Sequence, residues 1–102
     1  MAKANVQYVV NTVAAASVIT QFGMEDCELP AGVGVGNTFV GTVVCEVCYD
    51  PASGSPTWIQ FGAALTAPGT FKIDIPVKAV RARCSAYTSG SITAGIGVQV
   101  AV

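Results

Sequence analysis

The sequence predicts an all-β chain, an antiparallel β-sandwich or jelly-roll-like barrel of about seven strands. Three observations carry that prediction. Hydrophobic residues make up 52% of the 102 residues, yet they are mostly Val, Ala and Ile, with only two leucines, Leu29 and Leu65. β-Branched residues suit a pleated, half-buried surface, whereas helical domains lean on Leu, Glu and Lys. Apolar and polar residues alternate over several stretches, the period of a strand with one buried face. Turn signals rich in Pro, Gly and Ser recur about every 8 to 15 residues.

Taken in order, Asn5 to Asn11 places Val6, Tyr8 and Val10 in alternation with Gln7 and Asn11, a first strand. Ala14-Ala15-Ala16 tolerates a helix, but Val18, Ile19 and Thr20 favour extension, so a second strand is expected over Ser17–Phe22. Residues 1–16 are expected as an N-terminal strand or an arm lying on a neighbour, and 17–102 as a single sandwich domain. Met24 to Asn37 holds Pro30, Gly32, Gly34 and Gly36 and is expected to be a loop. Thr38 to Tyr49 is a long strand, with Val43, Cys45 and Val47 on one face and Val44, Glu46 and Cys48 on the other. The turn cluster Asp50–Pro56 returns the chain antiparallel into Thr57–Ala63. Ala67-Pro68-Gly69 turns it again into Thr70–Ile75.

The last two strands, Val77–Tyr87 and Ser91–Val102, flank Thr88-Ser89-Gly90. A three-residue loop ending in Gly predicts a hairpin with a G1 bulge. Its register pairs Cys84 with Ala94 and Ala82 with Ile96, apolar with apolar. On the other face it sets Arg83 opposite Gly95 and Arg81 opposite Gly97. Two long cations over bare backbone either cover it or form a strip that receives another chain; arginine is enriched at protein interfaces.

The charge content excludes several functions. Charged residues make up 11% of the chain, against about 25% in an ordinary soluble domain. Five Lys/Arg against six Asp/Glu leave a net charge of −1, with no basic footprint for nucleic acid. No run reaches the roughly 18 apolar residues that span a bilayer. Gln7 and Asn11 interrupt what would be the apolar stretch of a secretory signal, so none is expected. Histidine, the commonest general base and zinc ligand, is absent. So weakly charged a surface suits burial in an assembly.

The candidate chemistry is sparse. Cys45-Glu46-Val47-Cys48 has the C-x-x-C spacing of metal and redox sites, but on a straight strand its two thiols point to opposite faces. The four cysteines, Cys27, Cys45, Cys48 and Cys84, are expected to be buried thiols or structural disulfides of unknown connectivity. Gly32-Val33-Gly34-Val35-Gly36 lacks the strand-then-helix setting of a phosphate loop, and the acids before it would repel phosphate. Glu25, Asp26 and Glu28 lack calcium-loop spacing and are expected either in solvent or facing Arg81 and Arg83 of a neighbouring copy. Glu46 and Asp50 could act as a carboxylate pair only in a cleft with aromatic walls. Trp58, the only tryptophan, is expected to anchor the core or an interface. No cofactor, metal or catalysis is expected.

The C-terminal half carries a resemblance. Thr57-Trp58-Ile59-Gln60, Ala67-Pro68-Gly69-Thr70-Phe71, Ile75-Pro76-Val77-Lys78-Ala79-Val80-Arg81-Ala82-Arg83 and Tyr87-Thr88-Ser89-Gly90-Ser91-Ile92-Thr93 follow one another. This succession resembles small β-rich virion proteins of tailed bacteriophages and covers residues 57–102. The N-terminal half, with its cysteines, carries no such resemblance. The resemblance implies a capsid decoration or cement protein on the capsid exterior. Its partner would be the major capsid protein, and it would be a homo-oligomer, with a trimer favoured. Its contact residues would be drawn from Arg81, Arg83, Trp58, Tyr87, Glu25, Asp26 and Glu28. The alternative is a tail- or fibre-associated module that binds a host receptor or glycan through Tyr49, Trp58 and Tyr87.

Overall fold

The computed structural model describes residues 4–25 and 27–101. Asp26 lies outside them. The described residues form eight strands: β1 (Ala4–Val13), β2 (Val18–Gly23), β3 (Cys27–Gly36), β4 (Phe39–Cys48), β5 (Trp58–Leu65), β6 (Gly69–Ile73), β7 (Ala79–Gly90) and β8 (Ile92–Ala101). They form two four-stranded antiparallel sheets, ordered β1-β8-β3-β6 and β2-β7-β4-β5.

That order has a simple logic. β4 pairs with β5, β3 with β6, β2 with β7 and β1 with β8, so the chain is one long nested hairpin wrapped around a core. This is the double-sheet jelly roll, within the fold class expected from the sequence. The core is the inner faces of both sheets. Val33, Val35, Ile92, Ala94, Ile96 and Val98 come from the first sheet, and Ile19, Val43, Cys45, Val47, Val80, Ala82 and Cys84 from the second.

Three expectations are corrected. The Gly-rich stretch expected as a loop is β3. Ala31, Val33 and Val35 alternate into the core, and their strand bonds to β6 on one side and β8 on the other. Two ladders and three buried side chains outweigh the weak strand preference of glycine. The expected β7–β8 hairpin is absent, because β7 and β8 lie in different sheets. The chain crosses over at Gly90, whose φ of 91° suits glycine, and Ser91 is tied by its amide to the Thr38 carbonyl at 3.0 Å. The apolar faces of β7 and β8 therefore meet across the core, not side by side, and the Arg–Gly pairs do not form. Finally, β1 is not an arm on a neighbour. It pairs with β8 along its whole length, Val9 and Val13 pack on the core, and the Asn11 amide donates to the Ile19 carbonyl at 2.9 Å.

Candidate interaction surface

The outer face of the second sheet gathers both of the chain's arginines into one structure. Alternation along β7 turns Val80, Ala82 and Cys84 inward and Arg81 and Arg83 outward. The same alternation along β4 turns Glu46 outward between the inward Cys45 and Val47. Register then aligns Gln21, Arg81, Glu46 and Gln60 in a single row across all four strands. The neighbouring row is Gly23, Ala79, Cys48 and Trp58.

Glu46 is only 7% exposed and serves both arginines. Its Oε1 accepts from Arg81 Nε at 2.7 Å and from Arg83 Nε at 2.9 Å, and its Oε2 accepts from an Arg83 terminal nitrogen at 3.3 Å. Burial pushes the Glu46 carboxyl up, but the hydrogen bonds and charges of Arg83 and Arg81 outweigh it and hold it below its usual range. The Arg81 guanidinium also lies over the Trp58 ring, 4.1 Å from its centroid, a cation–π contact. Arg81 is thereby held in two directions, by a carboxylate in the plane of its fork and an aromatic face beneath it. No hydrogen bond within the described residues engages its two terminal nitrogens. These long side chains shield the neighbouring positions, since Ala79, Cys48 and Val44 are buried although they lie on the outer face.

The remaining candidates do not join this cluster. Tyr87 packs against the core, and its hydroxyl donates to the Gly90 carbonyl at 2.9 Å. It pairs opposite Gly41, whereas Trp58 pairs opposite Cys48, so seven residues of β4, about 23 Å, separate them. Tyr49, Trp58 and Tyr87 therefore form no common ring platform. Glu25 lies exposed beyond the end of β2. Glu28 sits on β3 opposite Gln99, in the other sheet from the arginines. Asp50 accepts from the Thr57 amide at 3.0 Å and the Cys48 thiol at 3.2 Å, which holds the loop after β4 and leaves it apart from Glu46.

Cys45, Cys48 and Cys84 are buried thiols with no disulfide between them. Cys45 lies in the core and Cys48 on the opposite side of the same strand, so the C-x-x-C pair diverges as alternation requires. Burial, helped by the Glu46 charge, pushes the Cys45 thiol up to about 12. Cys27 is half-buried, with its thiol directed at the carbonyls of Gly23 and Glu25 at 3.8 and 3.7 Å. Among the described residues no three Cys, Asp or Glu side chains gather where a metal ion could sit.

Sequence reasoning placed both arginines on one face but missed the carboxylate that organises them. The signal was available: a lone acid inside a Val-rich strand is almost never buried unless paired.

No protein-family model matches the chain, and no curated protein matches it by sequence. Solved structures do. The SPBc2 prophage-derived protein YomS superposes with a TM-score of 0.65 at 14% identity, covering 93% of this chain and 95% of that one. A protein of the disulfide-linked pili that form Bacillus endospore appendages gives a TM-score of 0.44 at 15% identity, over 98% and 91% of the two chains. The likeness to YomS establishes a shared fold.

Proposed function

We propose that this chain is a non-enzymatic structural protein of a phage particle, a decoration or cement protein that docks on the major capsid protein at the capsid exterior and acts there as a homo-oligomer. The observation that carries the reading is the preorganised Arg81–Glu46–Arg83 cluster over Trp58 on an otherwise weakly charged sheet. Glu46 orders both guanidiniums before any partner arrives, so their fixing adds little to the entropic cost of docking. The two arginines against one glutamate leave the cluster with one excess positive charge, and the unengaged Arg81 nitrogens fit an acidic segment of the partner bidentately. Two further facts support a phage role. The jelly roll is an architecture that viral coat proteins use, and the prophage-derived YomS shares the fold. Fold alone does not determine function, so the weight rests on the cluster.

The test is co-sedimentation of the purified chain with capsids of its phage that lack it. The wild type is expected to pellet with capsids and to raise their resistance to heat, and the variant R81Q/R83Q is expected to stay in the supernatant. A wild-type chain that ignores capsids but binds host cells would instead establish the tail-associated reading.

A further inference from the structure

Trp58 supplies the aromatic half of the Arg81 contact, yet it stands at the end of its strand. Cys48 and Trp58 are the last pair of the β4–β5 ladder. Beyond them residues 49–57 connect the two strands, and 52–57 are exposed. The centre of this loop, Ser53-Gly54-Ser55, has no apolar side chain to dock on the protein. Left to itself, so open a connection lets the terminal pair of a ladder fray. The place of the indole therefore depends on what closes the loop.

Asp50 closes it at the neck. Its Oδ1 accepts from the Thr57 amide at 3.0 Å, seven residues along the chain and next to Trp58. The same oxygen accepts from the Cys48 thiol at 3.2 Å, and Cys48 lies opposite Trp58 in the ladder. One carboxylate oxygen thus ties the residue before the indole to the residue across from it. The local turn does not need this side chain, because the Asp50 carbonyl already accepts from the Ser53 amide at 3.0 Å. Cys48 is held from the side of β7 as well, where its carbonyl accepts from the Lys78 amide at 3.0 Å, three residues before Arg81. The bonds from Thr57 and Cys48 hold the Asp50 carboxyl below its ordinary range. Among the described residues Asp50 forms no ion pair.

We propose that Asp50 is the positioning residue of the docking cluster: by tying Thr57 to Cys48 it sets the Trp58 ring against Arg81 and so fixes the direction of the free Arg81 nitrogens. Its negative sign gives it no attraction for an acidic partner, so what it supplies to the site is geometry, through Trp58. Glu46 holds Arg81 from the side of β4, and Asp50 secures the aromatic support that holds it from the side of β5. The consequence for docking rests on the capsid reading above; the consequence for Trp58 does not.

Three variants of the full chain test it. Asp50→Ala removes the acceptor, and Asp50→Asn keeps an oxygen for both donors while dropping the charge. Thr57→Pro removes the amide and keeps the carboxylate, just before an edge strand, where proline is tolerated. Without capsids, Asp50→Ala and Thr57→Pro are expected to raise the acrylamide quenching constant of Trp58 at least about twofold, and Asp50→Asn is expected to match the wild type. With capsids, the first two are expected to bind at least about threefold more weakly, the loss of one cation–π support, and Asp50→Asn to bind as the wild type does. Thr57→Pro carries the test if Asp50→Ala fails to fold. Unchanged quenching in Asp50→Ala and Thr57→Pro overturns the inference. So does an Asp50→Asn that behaves like Asp50→Ala, since charge and not position would then be at work. A wild type that ignores capsids overturns the docking reading alone, and the quenching comparison still decides the role of Asp50.

Discussion

Replacing Glu46 by Gln removes one charge at a nearly constant volume and tests whether this carboxylate organises the outer face. The side chain accepts three hydrogen bonds from two arginines, and 9% of it is exposed. In Gln the oxygen that remains can still accept, but the amide nitrogen takes the place of the other oxygen and faces an Arg83 donor. Breaking a fully buried pair costs about 3 to 5 kcal/mol. Arg83 is 36% exposed and regains water, which lowers the expected loss to about 2 kcal/mol. Unfolding entropy near the melting point is about 2.1 cal/mol/K per residue, or about 0.21 kcal/mol/K for 102 residues. The predicted drop in Tm is therefore about 9 °C. Thermal melts followed by Trp58 emission measure it directly, since Trp58 is the only tryptophan and lies under Arg81. Arg83→Gln is predicted to lose less, about 1 kcal/mol, because Arg81 still neutralises Glu46. A drop below about 2 °C for Glu46→Gln, or a larger loss in Arg83→Gln, would show that the cluster is ordinary surface charge.

Other expectations follow from the same contacts. Because Glu46 is held below its ordinary value of 4.5, its contribution is full above that pH and fades as pH falls through its folded value. Wild-type and Glu46→Gln melting temperatures are thus expected to converge in acid titrations and to differ most near neutrality. Ile96, 1% exposed at the centre of β8, is expected to lose about 3 kcal/mol on truncation to Ala, read by urea denaturation. Gly90→Ala places a Cβ against the Thr38 carbonyl in a left-handed conformation, and a loss of at least about 2 kcal/mol is expected in the same assay. Cys45, Cys48 and Cys84 are expected to resist alkylation at pH 8 until the protein unfolds, as mass spectrometry would show; fast native labelling of Cys45 would contradict its burial.

Much of this architecture was legible along the chain, and the failures share one cause. Alternation located β1, β2, β4, β7 and β8 within a few residues, because each buries one face and period 2 is local information. The β4–β5 hairpin followed from the Pro- and Gly-containing turn between Cys48 and Trp58. β3 was missed because its outward positions are glycines, which read as loop until the neighbouring ladders are known. The partner of β8 was misjudged because a short Gly-ended loop serves both a hairpin and a crossing between sheets. Apolar matching could not separate the two, since facing strands across a core match as well as paired ones. Glu46 shows the same limit: alternation sets it on the face opposite Cys45 and Val47, but that Arg81 and Arg83 lie beside it depends on β7 pairing with β4 and not with β8.

The two outer faces also account for where the scarce charge goes. Glu46, Arg81 and Arg83 sit together on the outer face of the second sheet, while Glu28 and Lys72 lie apart on β3 and β6 of the first. Clustering three of them gives the second sheet fixed donors for an oriented contact. Docking through Arg81 and Arg83 should weaken as ionic strength rises, because it depends on exposed charge. Capsid binding across a salt series therefore tests the cluster without any mutation, and binding that ignores salt would mean that another surface carries the contact.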